Sequence, residues 1–442
     1  MMKMESSSNR VHPIGRRNIA SIFLLGTAGQ IAWAVENSWF NTFVYDRITT
    51  DPAPIAWMVA VSAIMATITS LLMGTLSDRT AGRWGQRKPY IVGGYIFWGI
   101  LTAIYPMIEW IQTVGVAIVM VIVVDAVMTF FGSTANDAAF NAWLTDIGHS
   151  SNRNRIDTLN KITVFLAQII ALGAAGIIID QYGYFIFFYL LGGLVTLTGM
   201  ISAILLESQP ISREEIRTTK SLWKEFTELF DPKILKDNRI LFLLFLNMAL
   251  GGIASQIYMP YLFIFSENYL GFTKTQLSLY LGSFMLVTIG MMAIIGAVSH
   301  KYNRKSLIII GSLIGSIFMV IMSLIARRLV SGSPAMIIVF ILFFIGYIAI
   351  LAAQIAHGGW LLDRYPEGNV GKYQGVRMIF MVLLPMVIGP PIGAAIIRQF
   401  GIPTGDGFIP TPEIFLFGGL VSLLAIIPIL LIPKAEGIVK LE

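Results

Sequence analysis

The sequence contains no cysteine, which excludes disulfide frameworks, thiolate metal sites and cysteine nucleophiles. Histidine is nearly as scarce. The four residues His12, His149, His300 and His357 are too scattered to suggest a histidine metal site. Charge is thin as well. Charged residues make up 13% of the 442 positions, about half of the roughly 25% found in soluble domains. A water-soluble globule, a disordered chain and a coiled coil all need more charge and less apolar mass. No P-loop lysine motif, His-Glu-x-x-His helix or serine nucleophile elbow is present, so neither an enzyme nor an ATP-driven pump is expected. The formal net charge of +6 does not imply nucleic acid, because that reading needs a clustered basic face on a soluble fold.

Long apolar runs are what the chain has in abundance. Hydrophobic residues make up 56% of it. Roughly 20 mostly apolar residues cross a bilayer. Twelve such stretches occur, at 18–45, 55–77, 89–109, 113–146, 157–179, 184–206, 239–266, 275–298, 306–327, 334–362, 373–399 and 412–432. The predicted fold is an all-α polytopic membrane protein with twelve transmembrane helices. The first stretch is longer than a signal-peptide core and lacks a clear cleavage site, so it is read as retained. Of the 31 Lys and Arg residues, all but Arg47, Lys274, Arg327, Arg328 and Arg398 fall on one side of these spans. That asymmetry predicts an inner-membrane protein with both termini cytoplasmic.

Residues 207–238 carry both charge signs and divide the chain into two predicted six-helix bundles, 1–206 and 239–442. Within the divider, Leu222, Phe226 and Leu229 have helical spacing. The segment reads either as an amphipathic helix on the inner surface or as a plain tether. The halves resemble each other weakly. "NAWLTDI" at 141–147 recurs as "GGWLLDR" at 358–364, aligning Trp143 with Trp360 and Asp146 with Asp363. "GTLSDRTAGRWGQRKP" at 74–89 has a degraded counterpart, "GAVSHKYNRKS", at 296–306. Duplicated halves suggest a transporter whose site lies between them near the midplane.

The second predicted helix ends in Gly74-Thr-Leu-Ser-Asp78-Arg79, followed by Gly82, Arg83, Gly85, Arg87 and Lys88. This resembles the loop signature of the major facilitator superfamily. Asp78 closes a helix, where the dipole disfavours a negative charge unless a cation answers it. Asp78, Arg79, Arg83 and Arg87 thus read as a latch that one transport state makes and the other breaks, or else as topology signals alone. More narrowly, "DRTAGRWGQRKPYIVGG" is similar to the glycoside–pentoside–hexuronide:cation symporters. It also fits the related proton-linked sucrose transporters. "NDAAFNAWLTDI" with Arg153 and Arg155, and "LLDRYPEGNVGKYQG", are similar to two further loops of the symporter family. That resemblance implies a sugar or glycoside as solute, moved by alternating access with a coupling cation. It implies a sugar contact at Asp137. The acid pair that sodium-coupled members carry in the second helix is absent from 55–77, which points to a proton.

An ionisable residue inside a span is a functional candidate by default. Glu36 and Asp125 lie at similar depths, roughly 14–18 Å below the outer surface at 1.5 Å per residue, and are the coupling candidates. Gln30, Trp33, Asn37 and Asn41 are spaced three, four and four residues apart and share one predicted face. Amides and an indole on one stripe suit a sugar; they equally suit helix–helix hydrogen bonding. Gln168, Gln256 and Gln354 complete the predicted substrate contacts. Asp146 with Arg153 or Arg155, and Asp363 with Lys372, are predicted gate pairs. His357 is a weaker protonatable candidate, and the prolines of "GPPIG" at 389–393 are expected to kink their helix. No metal or organic cofactor is expected. The expected partners are a small solute and membrane lipid, with the chain acting as a monomer. Rival solutes are a lysolipid or amphiphile, and exported drugs or organic anions; an anion carrier should present Arg or Lys to the cavity.

Overall fold

The computed structural model describes residues 14–148, 152–207, 239–299, 301–329, 336–365 and 370–433. The predicted amphipathic segment within 207–238, Glu367 and the side chain of Lys372 lie outside the described residues. Among the described residues, eleven helices are long and apolar enough to cross a membrane. One of them, Arg153–Leu205, has 53 residues. At 1.5 Å per residue it would measure about 80 Å, more than twice a bilayer core. It is two spans meeting at Gly183, whose φ of 80° and ψ of 173° interrupt the helix. Glycine alone takes that conformation at little cost. The chain therefore makes twelve crossings, as predicted.

Span 1 is Arg16–Arg47, span 2 Pro52–Asp78, span 3 Lys88–Trp110 and span 4 Val114–Asp146; spans 5 and 6 share Arg153–Leu205. Span 7 is Arg239–Asn268, span 8 Lys274–Ser299, span 9 Arg304–Ala326, span 10 Ile337–Leu362, span 11 Gly375–Phe400 and span 12 Glu413–Leu430. Large apolar side chains such as Trp57, Trp110, Leu197 and Ile204 are exposed, as lipid-facing residues must be. Between spans 11 and 12, strands β1 (Ile402–Thr404) and β2 (Gly407–Ile409) form an antiparallel hairpin.

Four spans are irregular in their middle. The first helix of span 1 ends at Glu36 and a new one starts at Trp39. Span 7 repeats this: its first helix ends at Gln256, and a 3-10 turn, Met259–Tyr261, leads into Leu262–Asn268. Span 4 passes through π-helix at Ser133–Phe140 and span 11 through π-helix at Ile379–Leu383. Irregular backbone at membrane depth persists where it is buried in protein or lines a cavity, and π-turns recur at functional sites. The helix of span 11 continues through Pro390 and Pro391.

The face that holds the predicted inner loops shows the repeat in its contacts. Arg87 and Lys88 open span 3; Arg304 and Lys305 open span 9. Arg87 pairs with Asp146 at the end of span 4, and Arg304 pairs with Asp363 at the end of span 10. Lys88 donates to the carbonyl of Leu206 at the end of span 6, 2.9 Å away. Lys305 donates to the carbonyls of Leu430 and Ile432 at the end of span 12. Each half thus ties three of its helix ends with one Arg-Lys pair. The predicted partners of Asp146 are corrected accordingly; Asp363 is bonded by Arg304, while its predicted partner Lys372 has its side chain outside the described residues. Arg153 and Arg155 open the next helix and are exposed, whereas Arg87 reaches inward to Asp146 across the bundle.

Candidate functional site

Glu36 closes the first helix of span 1 and is buried, as is Asp125 in span 4. Thr129, one turn from Asp125, donates its hydroxyl to Glu36 Oε1 at 2.9 Å. Ser62 of span 2 donates to Asp125 Oδ2. Glu36 Oε2 and Asp125 Oδ1 are buried without a partner. The charged groups that act on Glu36 are Asp125 and Asp137, both acids. Buried acids without a cation beside them are expensive to keep charged, and within a span they mark a proton or ion pathway.

Toward the basic face the polar lining continues. Gln30 Nε2 donates to Asn136 Oδ1 at 3.3 Å, and Asn136 Nδ2 donates to the Tyr95 hydroxyl at 2.8 Å. Tyr95 in turn donates to the carbonyl of Leu25 at 2.7 Å. Gly29 makes the space for this network: a Cβ there would lie 2.3 Å from the Asn136 amide nitrogen. Trp33 packs on Trp98 with ring centroids 5.0 Å apart, and its indole nitrogen is buried without a partner. Asp137, in the π-helix, is half-buried and accepts from Ser133 at 3.0 Å.

The C-terminal half contributes a cavity of about 420 Å³. Asn247, Gln256, Tyr258, Gln354, His357 and Arg377 supply its main polar lining, and no acid is among the lining residues. The size suits a small solute. Gln354 is exposed to it. His357 Nε2 lies 2.9 Å from the carbonyl of Leu244, so it is held as a helix–helix hydrogen bond. Asn247 similarly donates to the carbonyl of Ala425 at 2.6 Å.

The two faces differ sharply. On the face opposite the basic loops, Arg398 makes a bidentate pair with Asp51, at 3.0 and 2.6 Å. Asp406 accepts from Thr49 at 2.6 Å and from Thr50 at 2.8 Å, and Phe408 N donates to the carbonyl of Thr50. Thr49 forms the larger part of what holds the Asp406 carboxyl below its ordinary value; partial burial works against it, and Thr50 adds to the lowering. Lys274 lies between Asp46 and Glu267. Beneath these contacts sit the buried rings of Trp39, Phe40, Phe43, Tyr105 and Phe188, with Trp39 edge-on to Phe263 of span 7. On the basic face, the ion pairs among the described residues stay within one half. The structure is closed on the face opposite the basic loops.

The sequence matches the family model of the Major Facilitator Superfamily over residues 19–358 and 268–440. The chain belongs to the Major Facilitator Superfamily. It is a membrane transporter of that superfamily, and its fold agrees with solved structures. The nucleoside transporter NupG superposes with a TM-score of 0.69 at 14% identity, covering 93% of this chain and 98% of that one. A D-xylose–proton symporter gives 0.67 at 14% identity, covering 95% and 99%. A bacterial metal transporter gives 0.63 at 11% identity, covering 95% and 99%. Identities this low speak for the fold alone. No curated protein matches the sequence.

The superfamily loop is anchored by Arg87, which bonds Asp78, Asp146 and the Ser77 hydroxyl. Burial works against its charge, but Asp146 and Asp78 outweigh it and raise the guanidinium above its ordinary value. Arg83 is exposed and Arg79 half-buried beside it. Of the predicted contacts, the structure brings Gln30, Trp33 and Asp137 to one region around Asn136, and Gln256 with Gln354 to the other half's cavity. The break after Glu36 ends the predicted stripe. Asn37 is exposed and donates to its own helix at the carbonyl of Trp33, while Asn41 is buried in the second segment. Gln168 is half-buried in span 5. Sequence reasoning missed Ser62, Thr129, Tyr95 and the opposite-face pairs. Hydroxyls spaced four apart with Asp125 and Asp137 were the visible signal for Thr129 and Ser133.

Proposed function

We propose that the chain carries a sugar or glycoside across the cytoplasmic membrane by alternating access, coupled to protons, as a relative of the glycoside–pentoside–hexuronide symporters. The observation that carries this reading is the buried Glu36–Asp125 pair, with one oxygen of each carboxylate unpartnered, beside the broken middle of span 1. Amides and indoles next to that pair, at Gln30, Asn136, Trp33 and Trp98, offer hydroxyl partners and an apolar ring face. Gln256 and Gln354 offer the same from the second half. The basic face is the cytoplasmic one, so the closed, aromatic-packed face is the outer gate and the conformation is inward-facing. Arg87, Asp78 and Asp146, with Arg304 and Asp363, serve as the cytoplasmic latch elements. Residues 55–77 of span 2 hold no acid, and Ser62 there donates to Asp125, which supports a proton rather than sodium.

A second reading has one specific observation behind it. Arg377 lines the cavity of the C-terminal half, where no acid does. An organic-anion carrier would require a cation facing the cavity, and Arg377, at the start of span 11, is one. One experiment separates the two. Proteoliposomes are offered radiolabelled neutral sugars, glycosides and sugar acids, with imposed proton or sodium gradients. Proton-driven uptake of a neutral sugar supports the first reading, and uptake confined to sugar acids supports the second. No flux of any sugar sinks both.

A further inference from the structure

Span 4 places four oxygen-bearing side chains at successive intervals of four: Asp125, Thr129, Ser133 and Asp137. Each step is about one turn, which puts neighbouring rungs about 5–6 Å apart at Cβ. Two rungs are already engaged. Thr129 donates to Glu36 Oε1 at 2.9 Å, and Ser133 donates to Asp137 Oδ2 at 3.0 Å. Asp125, Thr129 and Ser133 are each at most 2% exposed, while Asp137 is half-buried. The row therefore runs from a dry interior to a wetter end on the basic side. On the other side, Trp39, Phe40 and Tyr105 are buried and block the way.

We propose that this row is a proton relay, carrying protons between the buried Glu36–Asp125 pair and the cytoplasmic side through Thr129, Ser133 and Asp137. It rests on the proton-coupled reading above and adds the route. For release, the Thr129 hydroxyl accepts the Glu36 proton on its oxygen and gives up its own. One water passes a proton from Thr129 to Ser133 in the same manner. Ser133 gives its proton to the Asp137 carboxylate. Every O–H bond that breaks is matched by one that forms. Glu36 ends as a carboxylate, Asp137 as the acid, and no hydroxyl is left charged. The other titratable groups facing the row are Tyr95 and Tyr105 of span 3. Both hydroxyls are committed elsewhere, to the Leu25 carbonyl and the Met58 sulfur. Among the described residues, the charged neighbours that act on Glu36 are Asp125 and Asp137. The π-helix at Ser133–Phe140 widens the turn at the wetter end of the row.

The test follows the infrared C=O band of protonated carboxyls after a pH jump, using the full chain in liposomes. The wild type is expected to show a component of this band that the double variant Glu36→Gln, Asp125→Asn lacks. Ser133→Ala and Asp137→Asn should slow its appearance about a hundredfold, the lower range for a positioned proton-transfer group, with its rise from the pair retained. Acetate added on the basic side should restore the rate in Asp137→Asn, an effect that a merely structural role would not show. Thr129→Ser should keep the rate and Thr129→Val should lose it, which guards against misfolding in any single variant. If the double variant loses no component of the band, the pair is not the proton site, and both the coupling reading and the relay fall. If the band goes with the pair while Ser133→Ala and Asp137→Asn titrate at the wild-type rate, the relay alone is overturned.

Discussion

The two halves share a scaffold and differ in what they put inside it. Span 1 breaks after Glu36, and span 7 breaks after Gln256. Counting back six residues from Trp143 and from Trp360 reaches Asp137 and Gln354. At both repeat-related places the N-terminal half has an acid and the C-terminal half the neutral amide. The helix-end ties at the basic face are the same in both, Arg87 to Asp146 and Arg304 to Asp363. The duplication thus kept its mechanical parts and divided its chemical ones. One half buries two acids, Glu36 and Asp125. The other presents amides, a tyrosine and an arginine to a cavity and has no acid there.

The sharpest way to break that comparison is to make the halves alike. Glu36→Gln gives span 1 the residue that span 7 carries at its break. It should reduce gradient-driven accumulation about a hundredfold or more, the range lost with a proton-transfer group, while leaving substrate exchange without a gradient. Gln256→Glu should keep the gradient dependence, because Glu36 remains. Uptake measured with and without an imposed proton gradient checks both. Accumulation that survives Glu36→Gln unchanged would remove the division of labour.

How far this was legible in the sequence varies with the length scale of the cause. The spans were readable because apolar length alone decides them, and the break at Gly183 fell between the predicted spans 157–179 and 184–206. Glu36 and Asp125 were readable because acids inside spans are rare. The stripe through Asn37 and Asn41 was misleading, since a constant helical period assumes an unbroken helix and span 1 breaks at that point. Partner choice was the least readable. Asp146 is close in sequence to Arg153 and Arg155, yet it pairs with Arg87, 59 positions away. Such pairing depends on how helices pack, which local pattern does not encode. The exceptions to the charge asymmetry carried more meaning than they showed: Arg47, Lys274, Arg327 and Arg398 are each held by an acid.

The helix-end ties should prove unequal although their design is the same. Lys305 is buried and donates to two carbonyls, whereas Lys88 is half-buried and donates to one. Cations at partly buried helix C-termini contribute up to about 2 kcal/mol and exposed ones less than about 1. Lys305→Met should therefore lower thermal stability in detergent more than Lys88→Met. Equal losses would mean that burial does not separate the two halves here. The closed face opposite the basic loops should respond more weakly still. Asp51→Ala removes a pair at the surface, worth about 1 kcal/mol or roughly a fivefold shift in a two-state equilibrium. The chain has no cysteine, so Val44→Cys, buried beneath the gate, gives a unique label site. Its maleimide labelling should quicken in the Asp51→Ala background, and an unchanged rate would show that this pair does not hold the halves together.

The smallest expected effect is a pH dependence of the same closure. Asp406 belongs to the C-terminal half and is held by Thr49 and Thr50 of the N-terminal half. Those hydrogen bonds keep its carboxyl below the ordinary value, Thr49 contributing most. A carboxyl lowered in the closed state stabilises that state at every pH above the ordinary carboxylate value, about 3.9. The stabilisation is lost as the pH falls through the lowered value. Labelling at Val44→Cys should therefore be flat from neutral pH down to about pH 4 and rise only below it. Thr49→Val removes the largest lowering contribution, so the rise should be smaller and should level off at a higher pH. Asp406 is exposed, so solvent screens the interaction and the rise should be slight. A gate that labels equally at neutral and acid pH, with or without Thr49, would mean that the halves are joined on this face by Arg398 and the aromatic layer, and that the hairpin merely rests on them.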